Sequence, residues 1–158
     1  DSCLVGSEMC IRDRIYIDFS HTPDALESIL KEKSKQNSKL FLVIGCGGNR
    51  DNQKRKIIGH IASKYSHKAI ITDDNPRNED PKLIRSEIIR GKLKNKDNLI
   101  EIADRKQAIL KVLDMSRKGD IVIIAGKGHE KYQIIGNQKI PHDDFKFCQD
   151  IIENKGQK

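Results

Sequence analysis

One feature constrains the fold of this chain more than any other. A short aliphatic run is followed by an amphipathic stretch, and this order recurs from Ile15 onward. Runs at Ile15–Phe19, Leu40–Ile44, Ala69–Thr72, Leu99–Ile102 and Ile121–Ala125 have strand length. Helices are expected between them. After His21-Thr22-Pro23-Asp24 a helix runs to about Lys33, with Thr22 as its cap, Pro23 in its first turn and Asp24 favouring the positive end of its dipole. Leu26, Ile29 and Leu30 make its apolar face. A second helix, from about Lys54 to Lys64, turns Ile57, Ile58, Ile61 and Ala62 inward. A third is capped by Asp80, opens on Pro81, buries Leu83, Ile84 and Ile88, and stops at Gly91. A fourth, Arg105–Met115, buries Ala108, Ile109 and Val112. Tyr132–Ile135 and Lys139–Ile140 suit a hairpin around Gly136-Asn137, and Phe145–Ile152 suits a last short helix. Repeated strand-then-helix order argues for an α/β fold with a doubly wound, mostly parallel sheet and flanking helices. Ile121–Ala125 is apolar throughout, as a central parallel strand requires.

A chain of 158 residues fits one domain, and Ile and Leu must fill its core because Trp is absent and Phe and Tyr are few. The opening DSCLVGSEMCIRDR has no clean period and resembles a translated sequencing-adapter read-through. Residues 1–14 are therefore expected to be a non-native or disordered prefix, and residues 15–158 the domain. No run approaches the roughly 20 apolar residues of a membrane span, and nothing at the start reads as a signal peptide, so a cytoplasmic protein is expected. The net charge of +7 is spread among acids. The densest basic stretches, Lys31–Lys39 and Lys92–Lys96, read as loops without interleaved aromatics, which argues against a nucleic-acid partner. The four cysteines have neither zinc spacing nor a disulfide pattern.

The unusual residues cluster where strands end. His21-Thr-Pro-Asp, Gly45–Arg50, Asp73–Arg77 and Gly126–Glu130 each follow an expected strand. In a parallel sheet these positions share the carboxyl edge, where ligands bind in open α/β folds. GCGGN could bring backbone N–H groups close to an anion, or it could be a plain turn. Arg50 and Arg77 offer planar donor forks for a carboxylate, although Asp73, Asp74, Glu79 and Asp80 stand close enough in sequence to pair with Arg77. Asp74 and Glu130 could accept from an ammonium. Asp18 and His21 could touch a nucleotide or serve only their turns. The loops suit a charged zwitterion better than a self-sufficient reaction centre.

Five ordered blocks, DFSHTPDAL, GCGGNRDNQKR, TDDNPRNEDP, ADRKQAI and AGKGHEKYQIIGNQK, resemble the C-terminal domain of the Mur ligases. Within that family they resemble the branch that adds meso-2,6-diaminopimelate to UDP-N-acetylmuramoyl-L-alanyl-D-glutamate. The resemblance covers about Ile15 to Phe147. It implies a Rossmann-like fold and one domain of a three-domain bacterial, cytoplasmic enzyme of peptidoglycan synthesis, with the N-terminal and central ATPase domains outside this chain. It implies ATP and Mg2+ as requirements of the complete enzyme, an acyl phosphate intermediate, and no activity for this domain alone. It places Arg50, Asp74, Asn75, Arg77, Gly126 and Glu130 in the diaminopimelate pocket. Asp18 and His21 would face ATP, with the Lys54-Arg55 pair on the phosphate side. No catalytic residue and no metal ligand is assigned here. Relatives that add L-lysine usually lack the arginine of DNPR, so Arg77 implies selection of the second carboxylate of diaminopimelate. An L-lysine-adding, another Mur-type or a folylpolyglutamate-type amide ligase domain remains an alternative. So does a free-standing, non-enzymatic amino-acid-binding domain.

Overall fold

Every second residue of the central strands points to the same side of the sheet, and that alternation divides the core in two. In the computed structural model, residues 2–5, 8–11, 14–35 and 37–156 are described. The sheet contains β1 (Ser2–Val5), β2 (Glu8–Ile11), β3 (Ile15–Asp18), β4 (Leu40–Ile44), β5 (Lys68–Ile71), β6 (Leu99–Glu101) and β7 (Ile121–Ala125). Their spatial order is β1-β2-β3-β7-β4-β5-β6. From β3 to β6 every pairing is parallel, and β7 lies between β3 and β4. The apolar Ile121–Ala125 run is thus central, as its composition demanded.

The helices are α1 (Pro23–Ser34), α2 (Gln53–Tyr65), α3 (Pro81–Ile89), α4 (Arg105–Met115) and α5 (Asp144–Gly156). Leu42, Ile44, Ile71 and Ile123 face a core built with α1, α2 and α3. Val43, Ile70, Val122 and Ile124 face the other, built with α4 and α5. A doubly wound, mostly parallel α/β sheet with helices on both sides results. Thr22 accepts from Ala25 N and Asp80 from Lys82 N, so both expected caps form. A two-stranded sheet of β8 (Tyr132–Ile135) and β9 (Gln138–Pro141) makes the hairpin at Gly136-Asn137.

Several expectations change. Backbone pairing extends the sheet with β1 and β2, antiparallel to each other and to β3, where no element was expected. The disordered-prefix expectation also falls on residues 1, 6, 7, 12 and 13, which lie outside the described residues. Ile57 and Leu83 are exposed, not inward: the buried faces run through Ile58 and Ala62 on α2 and through Ile84 and Ile88 on α3, and the preceding residue lies about 100° round the helix from the first of each pair. Lys31 and Lys33 belong to α1, not a loop. The last helix begins at Asp144 and is longer than expected.

Gly91 ends α3 for a reason other than a left-handed turn. A Cβ at Gly91 would stand 2.0 Å from Lys56 O, and one at Gly59 would stand 1.7 Å from Ile88 O. The two glycines let α2 and the end of α3 touch backbone to backbone. Gly59→Ala should therefore cost roughly 1–3 kcal/mol of stability through overpacking, despite alanine's better helix propensity. Urea denaturation of wild type and variant measures this, and an alanine that stabilises would contradict the tight crossing.

Candidate functional site

Because the strands run parallel, the segments after β3, β4, β5 and β7 meet at one edge. Arg50, Asp74, Asn75, Arg77, Gly126 and Glu130 line a single cavity there, about 210 Å³ in volume. His21 and Lys54 line it as well. So do Gly47, of the GCGGN loop, and Phe19, which had no expected role.

The glycines of GCGG bring two loops into contact. Gly48 N donates to Asn75 O at 2.8 Å, and Thr72 N donates to Ile44 O at 2.9 Å. A Cβ at Gly48 would lie 1.9 Å from Pro76 O, and one at Gly45 would lie 2.3 Å from Thr72 O. At Gly47 it would lie 2.8 Å from Arg77 Nη1. The segment therefore serves close packing under the pocket. The N–H groups of Gly48 and Asn49 are spent on Asn75 O and Glu79 Oε2, not held open for an anion.

Arg77 is the best-held cation of the cavity. Its backbone has φ of 52°, a left-handed conformation that a non-glycine residue adopts only when its surroundings impose it. The hairpin does so: Arg77 N donates to Ile134 O at 3.0 Å, and Gly136 N donates to Arg77 O at 2.7 Å. Nη1 donates to Gly48 O at 3.0 Å. The acids close to it in sequence are occupied elsewhere. Asp73 pairs with Arg85, Asp74 with Lys127 and Glu79 with Arg55, while Asp80 caps α3. Among the described residues no carboxylate is paired with the guanidinium of Arg77. Arg50 is exposed at the rim, and its Nη1 donates to Asn49 O at 3.1 Å.

Lys127, which stands behind the cavity wall, had no expected role. It is fully buried. Its Nζ donates to Asn75 Oδ1 at 2.9 Å, to Tyr132 O at 2.9 Å and to Glu130 Oε1 at 3.2 Å. Asp74 Oδ1 lies 3.0 Å away without hydrogen-bond alignment, and it has no other partner. Asn75 is equally committed: Oδ1 also accepts from Ile134 N at 2.9 Å, and Nδ2 donates to Glu130 Oε1 at 3.3 Å. Its side chain braces the loop, so what it offers the cavity is limited. A lysine flanked by glycines, immediately after the most apolar strand, was the available signal for Lys127.

The nucleotide-facing set is divided. His21 is exposed at the cavity mouth, edge-on to Phe19 with ring centroids 5.4 Å apart. Lys54 Nζ donates to His21 O at 3.2 Å. Asp18 does not line the cavity: it is buried and accepts from Ser20 N at 2.7 Å, serving its own turn. Arg55 is the clearest correction. It is completely buried, paired with Glu79 at 2.8 Å and Glu87 at 2.9 Å, and it donates to Gly47 O at 3.0 Å. Arg55 braces the β4–α2 connection from behind and presents nothing to a phosphate.

Around the cavity Arg50, Lys54, Arg77 and Lys127 stand against Asp74 and Glu130. This suits a ligand carrying carboxylate and ammonium together. Cys46, beneath the glycine loop, is buried, and burial pushes its thiol up to about 12, so it is not a ready nucleophile. Among the described residues no group of three or more His, Cys, Asp or Glu side chains is arranged to hold a metal. Among them, too, no helix is long and apolar enough to cross a membrane.

The sequence profile described as "Mur ligase, glutamate ligase domain" matches residues 7–128. A UDP-N-acetylmuramoyl-L-alanyl-D-glutamate–2,6-diaminopimelate ligase from Rickettsia bellii is 54% identical over 136 residues, covering 84% of this chain and 28% of its own. The ligase of the same name from Clostridioides difficile is 49% identical over 139 residues, covering 87% of this chain and 29% of its own. A solved structure of a ligase so named superposes with a TM-score of 0.88 at 38% identity, covering 97% of this chain and 32% of that one. Folylpolyglutamate synthase from Thermotoga maritima, at 20% identity and a TM-score of 0.52, shares the fold. The chain thus spans little more than a quarter of the length of the curated relatives that it matches. With 122 of its 158 residues inside the family profile, and with these relatives, the chain belongs to the Mur ligase, glutamate ligase domain family.

Proposed function

We propose that this domain receives meso-2,6-diaminopimelate within a ligase that joins it, at the expense of ATP, to UDP-N-acetylmuramoyl-L-alanyl-D-glutamate for peptidoglycan synthesis in the bacterial cytoplasm. The observation that carries this reading is the placement of Arg50 and Arg77 around one small cavity, with no protein carboxylate paired to Arg77 among the described residues. A guanidinium at a cavity wall is complementary to a ligand carboxylate. Asp74 and Glu130, on the same walls, are complementary to an ammonium. Diaminopimelate carries both groups at each end.

In this reading Arg77 and Arg50 meet the carboxylate of the distal head group, and Asp74 and Glu130 meet its ammonium. Holding that end directs the other amine out of the cavity toward the activated carboxyl carbon of the nucleotide substrate. The contribution is positional: a bound amine in the right orientation replaces a bimolecular encounter. His21 and Lys54, which also line the cavity, would in this reading face the nucleotide portions. Magnesium accompanies ATP in such ligation, and among the described residues no group of three or more His, Cys, Asp or Glu side chains is arranged to hold it. The chain alone would form no product, because the groups that activate the carboxylate would be supplied by other parts of the complete enzyme.

L-lysine lacks the distal carboxylate. Its binding would leave the Arg77 charge without the partner for which the cavity is shaped, and a site built for a polar group rejects the analogue without it. The complete ligase carrying this domain should use meso-diaminopimelate with kcat/KM roughly 10²-fold or more above that for L-lysine. Steady-state kinetics with each amino acid measure this. Equal use of the two would remove the reading.

A further inference from the structure

We propose that Lys127 is a positioning residue that sets amino-acid selectivity by offsetting one of the two negative charges on the Asp74–Glu130 wall of the cavity. The inference rests on the functional reading above and goes a step beyond it, to the charge balance behind the carboxylates.

Two acids face the cavity, Asp74 and Glu130. Left to themselves they would form a doubly negative wall, and a doubly negative wall favours a bare ammonium. Behind them lies the Nζ of Lys127, 3.0 Å from Asp74 Oδ1 and 3.2 Å from Glu130 Oε1. Lys127 does not line the cavity, and its side chain is completely buried. Its charge is therefore fixed in the protein and little screened by solvent. On this wall two carboxylates and one ammonium leave a charge of −1, facing the cations of Arg50, Lys54 and Arg77 that line the same cavity.

The geometry directs that remaining charge toward the ligand. An ammonium has three N–H groups, and those of Lys127 are taken by Asn75 Oδ1, Tyr132 O and Glu130 Oε1. Asp74 Oδ1 receives only the Coulombic attraction and is left without a hydrogen-bond donor, although it is buried. Oδ1 is turned toward Lys127 behind the wall, and the oxygen on the side of cavity-lining Gly126 is Oδ2, which is left to accept from a ligand ammonium. Lys127 thus partly neutralises Asp74 without filling its acceptor.

This has a consequence for selectivity. The distal head group of diaminopimelate is a zwitterion with no net charge, so to first order it responds weakly to one charge added to the wall. The distal end of L-lysine is an ammonium alone and responds to the full change. Removing the lysine charge should favour L-lysine, whereas removing an acidic charge should favour diaminopimelate.

The test uses the complete ligase carrying this domain, with kcat/KM measured for meso-diaminopimelate and for L-lysine. Lys127→Met should lower the diaminopimelate-to-lysine ratio about tenfold or more. Lys127→Arg, which keeps the charge, should hold the ratio within about threefold of wild type. Glu130→Gln should raise the ratio, because it moves the wall charge in the opposite direction. A purely structural role for Lys127 would depress both substrates together, and an unchanged ratio in Lys127→Met would overturn the proposal. Thermal melting identifies a variant that fails to fold. In that case Glu130→Gln decides, and a ratio that falls or stays fixed overturns the proposal. Failure of the underlying functional reading is visible separately, as a wild-type enzyme with no preference for diaminopimelate.

Discussion

Arg77→Ala should reduce kcat/KM for meso-diaminopimelate about 10²- to 10³-fold while leaving the KM for ATP within about threefold of wild type. The size follows from what the guanidinium would do. A charge-assisted hydrogen bond contributes roughly 1.5–3 kcal/mol, and a fork that meets a carboxylate with two such bonds reaches the upper part of the stated range. The loss should fall mainly on KM for the amino acid, since a contact with a distal head group is made in ground and transition states alike. Backbone strain is not the cause, because alanine at φ of 52° inherits the same conformation and the same hairpin bonds to Ile134 O and from Gly136 N. The indirect route is the bond from Nη1 to Gly48 O, which secures the glycine loop. Losing it would loosen the cavity floor for any ligand, and so it would weaken diaminopimelate and L-lysine together. The two routes are separable: if the carboxylate is the target, Arg77→Ala lowers the rate with diaminopimelate far more than the slow rate with L-lysine. Equal losses of diaminopimelate and ATP use would make Arg77 a part of the scaffold and not a ligand contact.

The parts of this fold that could be read in the sequence share a physical property: their determinants are local. Leu40–Ile44, Ile121–Ala125 and Arg105–Met115 fall on the expected bounds because aliphatic runs and caps are decided within a few residues. The shared edge of the four loops followed from parallel order alone, and with it the convergence of Arg50 and Arg77 on one cavity. The hidden parts depend on distant partners. Arg55 pairs with Glu79 across 24 positions, Arg105 with Asp144 across 39, and Lys127 with Asn75 across 52. Burial of a charge is improbable until its counter-charge is known to be adjacent, and adjacency across such separations is a property of topology. Gly91 illustrates the same limit. Its position after a helix suggests a turn, whereas the neighbour that excludes a side chain is the backbone of α2. Family resemblance could supply which residues belong together, but it assigned Arg55 by motif, and only packing shows that its charge is already satisfied.

The buried pair of Arg105 and Asp144 should carry the largest stability effect in the chain. Arg105, on α4, donates from Nε at 2.9 Å and Nη2 at 2.8 Å to the two oxygens of Asp144, and Nη2 also reaches Ala125 O at 3.1 Å. Both side chains are fully buried, and His142 adds a further contact to Asp144. Removing one partner leaves the other charge buried and uncompensated, so Arg105→Met or Asp144→Leu should each cost about 3–5 kcal/mol. The double variant should be less destabilised than the sum of the singles, because neither charge is then left alone. Burial alone would raise the Asp144 carboxyl, but the charge and hydrogen bonds of Arg105, with His142, outweigh it and hold the group well below the usual carboxylate range. The sign of the pH dependence follows. The unfolded carboxyl titrates near its ordinary value of about 3.9, so the stabilisation is complete above that pH. It is lost progressively as pH falls below about 3.9 toward the depressed native value. Urea titrations of wild type and Asp144→Leu between neutral and acid pH should therefore converge as the pH drops, and a gap that stays constant would mean that the ionised pair is not its source. The pair also bears on the cavity. Ala125 O, which Arg105 holds, is the last carbonyl before Gly126, so loosening α5 frees the end of β7 on which Lys127 and Glu130 depend.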